Sequence, residues 1–291
     1  MKLLVIGATG FTGSHVVQRL AGTGHHVRCL LRTASKKSRI PAGFESIDGS
    51  LEDPASLDRA MAGVDILINI ASLGFGHAPM IVDRAQAAGI RRAVFVSTTS
   101  LFTQLNAPSK VVRLAAEQAI QASQLDHVIL RPTMIYGTAE DRNICRLIRY
   151  LRRFPILPVV GSGNHQMQPV HVGDLADAIC RAAFADSASC VALNVSGASP
   201  LTFNELVDVI SSLLGRRTRK MHLPVRPIVA LLQFTERLRL RLPIKAEQIL
   251  RLNENKAFDH SEATRLLGFK PRSFRDGVRE EILGMGLGTP T

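Results

Sequence analysis

The sequence has no tryptophan, two tyrosines and only 5% aromatic residues. That is poor material for stacking unpaired bases. No DNA- or RNA-binding module is recognisable either, so nucleic acid is not expected as a partner. Cysteine is sparse: Cys29, Cys145, Cys180 and Cys190 show no CxxC or other metal-ligand spacing. No metal is expected, and the thiols read as reduced, as in a cytoplasmic protein. Long apolar runs are missing, which excludes a membrane span. Met1–Ile6 is apolar but too short for a signal peptide and gives way at once to glycine. Acids are scarce, 24 against 36 Lys and Arg, for a formal net charge of +12. Such an excess suits anionic ligands, nucleotide phosphates or an anionic membrane surface among them. There is no internal repeat and no low-complexity tract. With 291 residues, 46% of them apolar, the chain has enough material for one large core or two smaller ones.

What is present starts at the first residues. Leu3–Ile6 is a short apolar run, Gly7-Ala8-Thr9-Gly10-Phe11-Thr12-Gly13 follows, and Val16, Val17 and Leu20 then recur at helical spacing. This is strand, glycine-rich turn, helix. Gly7 permits the tight turn, Gly10 lets a pyrophosphate approach the backbone, and Gly13 lets helix and strand pack closely. The free amides and positive dipole end of that helix face the phosphates. The second strand, His26–Leu31, ends at Arg32, with Lys36, Lys37 and Arg39 behind it. An NAD-preferring site carries an acid there for the ribose 2′-hydroxyl; cations instead attract a 2′-phosphate and predict NADP over NAD.

Further strand–helix units follow. Phe44–Ile47 reads as a strand leading into Ser50 and Leu51. Asp53 caps a helix that opens at Pro54. Val64–Ala71 reads as a strand buried on both faces, ending in small residues, Ala71 and Ser72, that leave room for a cofactor. Pro79–Ala88 reads as a helix and Ala93–Val96 as a strand, with the hydroxyls of Ser97, Thr98, Thr99 and Ser100 at its carboxyl end. This alternation predicts an α/β, doubly wound parallel sheet of Rossmann type, binding its ligand beyond the carboxyl ends of the strands.

These stretches resemble an extended short-chain dehydrogenase/reductase of the NAD-dependent epimerase/dehydratase superfamily. Gly7–Gly13 matches its cofactor motif and Val94–Thr99 its fifth strand with the active-site Ser/Thr stretch. Leu130–Gly137, Pro169–Ala176 and Asp259–Pro271 are similar to three later elements, so the likeness covers nearly the whole chain. It implies cofactor contacts from Gly7, Thr9, Gly10, Phe11, Thr12, Gly13, Arg32, Lys36, Ser50, Leu51, Ala71, Ser72, Ser97, Arg113 and Pro132. It also implies a Rossmann domain over 1–185, with a substrate-loop insertion near 138–168, and a smaller, mostly helical substrate domain over 186–291.

One departure matters. Active members carry Tyr-x-x-x-Lys with a glutamate four residues after the lysine. Aligned on Glu117, this chain has Ser109 for the tyrosine and Arg113 for the lysine; its only tyrosines are Tyr136 and Tyr150. Serine is a far poorer acid than a phenol tuned by a neighbouring ammonium, and Arg113 stays charged. Three readings follow. One is an atypical NADP(H)-dependent oxidoreductase for a small carbonyl or nucleotide-linked substrate, with Thr99, Ser109, Arg113 and Tyr136 as catalytic candidates and His77 as a second proton source. The second is a non-catalytic NADPH-binding protein, similar to an accessory subunit of respiratory complex I. The third, a nucleotide-sugar epimerase or dehydratase, is the one that the missing tyrosine opposes.

The second half is basic. Arg142, Arg146, Arg149 and Arg153 form a stripe on a helix that Asp141 would cap. Phe154–Gly163 reads as a loop over the cofactor cleft. Asp174 would cap a helix from Leu175 to Ala183, and Thr202 with Glu205 forms a capping box. In the helix from Pro227 to Leu242, Leu231, Phe234 and Leu238 share a side expected to close the substrate domain, although a basic amphipathic helix also suits an anionic membrane. The partners implied are a small-molecule substrate and a peripheral membrane or protein contact through the basic helices. The chain is expected to be a monomer or homodimer, cytoplasmic or peripheral to a membrane.

Overall fold

A computed structural model describes residues 1–32, 34–105, 108–237 and 246–287, without the side chains of 34–36, 108, 236–237 and 248. The strand–helix alternation folds as expected. β1 (Lys2–Ile6) is followed by α1 (Phe11–Leu20), β2 (His26–Leu31), β3 (Glu45–Asp48) and α2 (Pro54–Met61). Then come β4 (Ile66–Asn69), α3 (Ala78–Ala87), β5 (Arg92–Val96), α4 (Pro108–Gln121) and β6 (Asp126–Pro132). With β11 (Val191–Val195) these strands make a seven-stranded sheet in the order β11-β6-β5-β4-β1-β2-β3. Every pair in it is parallel. Strand order reverses between β1 and β4, so the loops leaving those two strands part and open a crevice at their carboxyl ends.

Both faces of the sheet are covered. Leu3, Val5, Ile68, Val94 and Val128 pack with α1 and α6 (Val172–Phe184). Leu4, Ile6, Leu67, Phe95 and Ile129 pack with α2, α3 and α4 on the other side. This is why these strands read as continuous apolar runs rather than alternating ones. Asp53 caps α2 through Ala55 N, with Pro54 in its first turn, and the Thr202–Glu205 capping box is present.

A second core lies beside the sheet. It joins α5 (Ile144–Arg153), α7 (Phe203–Leu213) and α11 (Phe274–Gly284) through Ile148, Leu151, Leu206, Ile210, Val278 and Ile282. Short strand pairs flank it: β7 (Ile135–Tyr136) with β10 (Val170–His171), β8 (Ile156–Val160) with β13 (Arg219–Leu223), and β9 (Gln166–Met167) with β12 (Leu201–Thr202). The remaining helices are α8 (Val225–Arg237), α9 (Ala246–Leu252) and α10 (Ser261–Leu267). The second core is thus assembled from the 138–168 stretch and the C-terminal third. Between them the chain returns to the sheet as α6 and β11, the latter beyond the boundary at 185 read from the sequence.

Four local expectations are corrected. Phe154–Gly163 is largely the strand β8, not a loop over the cleft: Leu157 and Val159 turn inward while Ile156 and Pro158 face out. Its prolines are tolerated because β8 pairs on one side only. Asp141 does not cap α5; Asn143 holds that position, and Asp141 Oδ1 accepts from the amides of Asn143 and Cys145. His171, not Asp174, caps α6, its Nδ1 accepting from Gly173 N. Asp174 is buried in the first turn and holds Arg272, 2.8 Å away. Finally, Leu231 and Phe234 on α8 are 58% and 59% exposed, so they do not close a core; Leu238, Arg239 and Arg241 lie outside the described residues.

Two acids, Glu281 and Asp141, are buried beside the second core. Glu281 is 1% exposed, and burial, with the Asp141 carboxyl beside it, pushes its pKa up to about 10 from 4.5. The folded state therefore keeps a proton that the unfolded chain releases near pH 4.5. The stability this supplies is complete below that pH and is lost as pH rises toward 10. Urea titrations from pH 5 to 9 should show stability falling, this group contributing a slope of about 1.4 kcal/mol per pH unit. Glu281→Gln should remove that part of the slope and be the more stable protein at pH 8; an unchanged slope would refute the assignment.

Candidate functional site

The crevice at the β1/β4 reversal is a cleft of about 590 Å3. Gly7, Thr9, Gly10, Arg32, Ser50, Leu51, Ala71 and His77, all singled out in the sequence, line it. Its entrance is built by backbone contact. Gly7 has φ +85°, and a Cβ on it would sit 2.9 Å from Ala71 N. A Cβ on Gly13 would sit 2.0 Å from the Gly7 carbonyl oxygen, so only glycine lets α1 start this close to β1. Gly10 is the helix N-cap and offers no side-chain cap, and the first turn carries no acid. The opening amides of α1 are thus left for an outside acceptor, and the dipole favours an anion there.

At the far end of the cleft, Arg32 is exposed and forms no ion pair among the described residues. Arg39, close by, donates through Nη1 to Thr9 O at 3.4 Å. The side chain of Lys36 lies outside the described residues. Glu52, which sequence reasoning passed over, also lines the cleft, its amide bonded to Ser50 Oγ. Phe75, 69% exposed, is a second wall residue not foreseen; the glycines on either side of it, Gly74 and Gly76, were the available signal.

Beyond the sheet's carboxyl edge the predicted hydroxyls take different roles. Ser97 Oγ, at the end of β5, and Asn69 Oδ1, at the end of β4, are buried without a partner. Neither residue lines the cleft itself, but orphaned polar atoms at the carboxyl ends of neighbouring strands fit a bound group that satisfies them. Thr99 Oγ1 is spent on Pro132 O at 3.3 Å, and Ser72 caps the turn at Gly74 N. Phe11 lies edge-on to His15, and Thr12 is buried in the first turn of α1.

On α4, Arg113 Nη1 donates to Ser109 Oγ at 3.0 Å and to Ser100 Oγ at 3.4 Å. The guanidinium packs against Gly74, next to the Phe75 wall; a Cβ at Gly74 would lie 3.2 Å from it. Burial, then the positive charge of Arg251, holds the Arg113 pKa below its ordinary value. Arg251, 138 positions further along the chain, gave no sequence signal. Tyr136 lies elsewhere: it is 1% exposed and packs on His171 and Phe274. Burial, then Asp174, pushes its phenol well above the ordinary range. Among the described residues, the one grouping with metal-ligand proximity is Asp141, Cys145 and Glu281, buried near the second core and not among the residues lining the cleft.

The Gly7–Gly13 turn, the capless helix and the crevice fall within a match to the family model described as NAD(P)H-binding, over residues 7–149. Those residues form an NAD(P)H-binding domain. The chain is 28% identical to a ceramide reductase of Caulobacter vibrioides, over 76% of this chain and 73% of that protein. It is 27% identical to NADH dehydrogenase [ubiquinone] 1 alpha subcomplex subunit 9, mitochondrial, of Arabidopsis thaliana, over 76% of this chain; it spans 60% of that subunit's length. A solved UDP-glucose 4-epimerase of Thermotoga maritima superposes with a TM-score of 0.75 at 17% identity, covering 98% of this chain and 99% of that one. At that identity the likeness concerns the fold alone. What the match to the family model shows is an NAD(P)H-binding domain over residues 7–149.

The glycine contacts of the NAD(P)H-binding domain are testable. Gly13→Ala should abolish dinucleotide binding and lower the melting temperature, because its methyl cannot coexist with the Gly7 carbonyl. Fluorescence titration with NADPH checks this, and an unchanged affinity would show that the close approach is not required.

Proposed function

We propose that the protein is an NADP(H)-dependent oxidoreductase of atypical short-chain dehydrogenase type, reducing the carbonyl of a small or nucleotide-linked substrate. The observation that carries the cofactor choice is Arg32, exposed in the cleft wall at the end of β2 with no acid beside it on that strand. A guanidinium there pairs with a 2′-phosphate and gives a free ribose hydroxyl less. Glu52, in the same cleft, acts in the opposite sense and moderates the preference. The orphaned Ser97 and Asn69 and the capless start of α1 are the residues that would hold the dinucleotide.

Bound NADPH would supply the hydride. The chain's own part is to hold the carbonyl and deliver a proton to its oxygen. Arg113 donates to Ser109 Oγ, which frees the Ser109 hydroxyl hydrogen for a substrate oxygen and stabilises charge on it. His77 lines the cleft and its ring makes no capping bond to α3, so it is free to pass the proton. Thr99 and Tyr136 have no such freedom, the first bonded to Pro132 O and the second buried. The relative named as a ceramide reductase supports this reading. A second reading, a binder that holds NADPH without turnover, is favoured by the replacement of Tyr-x-x-x-Lys and by the burial of Tyr136. The nucleotide-sugar epimerase reading rests on fold alone.

Two measurements decide. NADPH should bind roughly tenfold or more tightly than NADH, as expected for a charge-assisted contact, and Arg32→Asp should reverse the order. Equal affinities in the wild type would overturn the NADP assignment. NADPH oxidation with a panel of aldehydes and ketones should be detectable. His77→Asn should lower kcat by about 100-fold or more with KM little changed, and Ser109→Ala should lower kcat/KM. Tight NADPH binding with no turnover of any carbonyl would establish the binder instead.

A further inference from the structure

The β8–β13 ribbon has one uncovered face. The register pairs Ile156 with Arg219 and Pro158 with Met221. Leu157 and Val159, on the alternate face of β8, are buried in the second core. The outer face therefore presents Ile156 (46% exposed) and Met221 (48%) beside Arg219. Phe154, two residues before Ile156, is 43% exposed with the Arg153 guanidinium over its ring. Neither strand contains an acid. Arg152, Arg153 and Arg219 have no carboxylate partner among the described residues, whereas Lys220, at the alternate position of β13, pairs with Asp208 and further ion pairs form elsewhere on the chain. Arg152 and Arg153 also enter the wall of a cavity of about 480 Å3, with Arg149 opposite the apolar Met285 and Leu287. That cavity combines phosphate-binding groups with an apolar lining. α8 starts one residue after β13 and carries the exposed Leu231 and Phe234.

Exposed aliphatic and aromatic side chains among unpaired arginines, with no acid between them, match an anionic lipid surface: the apolar groups enter the headgroup boundary while the guanidiniums pair with phosphates. A second copy of the chain would set this positive face against its own charge. We propose that this face, formed by β8, β13 and the end of α5, docks the protein on an anionic lipid bilayer. Attachment is peripheral, since no helix among the described residues is long and apolar enough to cross a membrane. The face is separate from the cleft, so the proposal is independent of which reaction the cleft performs.

The test is sedimentation with phosphatidylcholine vesicles and with vesicles containing phosphatidylglycerol. The full chain should pellet with the anionic vesicles at low salt, not with the neutral ones, and partly dissociate at roughly 0.5 M salt. The triple variant Arg152→Gln, Arg153→Gln, Arg219→Gln should partition about a hundredfold more weakly, roughly fivefold for each cation lost. Ile156→Ser with Met221→Ser should remove the binding that survives high salt. Melting temperatures near that of the wild type confirm that these surface changes leave the fold intact. Absence of wild-type binding to anionic vesicles at low salt, or triple-variant binding equal to the wild type, would overturn the proposal. So would a dimer, seen by light scattering, that Met221→Ser converts to a monomer while vesicles recruit nothing; the face would then be a contact between two copies.

Discussion

The contact between the Gly7 carbonyl and the bare α-carbon of Gly13 governs the rest of the molecule. It brings α1 onto β1 closely enough for the helix to begin directly over the crevice. Without that approach the opening amides of α1 would point into solvent rather than over a ligand. The same packing presses Val16, Val17 and Leu20 into the sheet. One steric allowance therefore serves the core and the site together. It leaves the first turn of α1 without a side-chain cap, a local cost of the kind that functional positions carry.

The second core solves a different problem. A doubly wound sheet leaves its carboxyl edge open, and the second core packs beside that edge. It is built from segments distant in sequence. Glu254 accepts from Thr103 and the amide of Gln104, which ties the loop after β5 to the region following α9. Arg272 joins Asp174 at the start of α6 to the C-terminal segment. Buried Glu117 holds Arg131 through two bonds to Arg131 Nε, at 3.0 and 3.1 Å. Half-buried charge pairs of this kind fix geometry more than they add stability, since removing one partner strands the other in a poor dielectric.

Much of the sheet could be read along the chain. The strand–helix alternation and the cofactor turn are local consequences of apolar runs, glycine positions and helix periodicity, and they recur in the structure with boundaries shifted by a residue or two, while the order of the strands in the sheet was not legible. The wall residues Arg32, Ser50, Leu51 and Ala71 follow from the same logic, since each sits at a strand's carboxyl end. The capping roles of Asp141 and Asp174 were misplaced because a carboxylate near a helix start can accept from its amides without being the cap, and because Asp174 had a distant partner in Arg272. β8 read as a loop because two prolines and two glycines surround it; its pairing with β13, some sixty residues on, has no local trace.

By itself, the sequence determined the parallel sheet, the glycine-rich helix start suited to a dinucleotide diphosphate, and the absence of a Tyr-x-x-x-Lys helix. These depend on residues within a few positions of one another, where backbone sterics and periodicity decide. Only the tertiary structure decided that Tyr136 is sealed in the second core, that Glu52 and Phe75 wall the cleft, and that Arg251 bears on Arg113. It also decided that the apolar residues of β8, β13 and α8 stay uncovered. Burial and charge proximity arise from contacts between distant segments, and composition along the chain does not specify which segments meet.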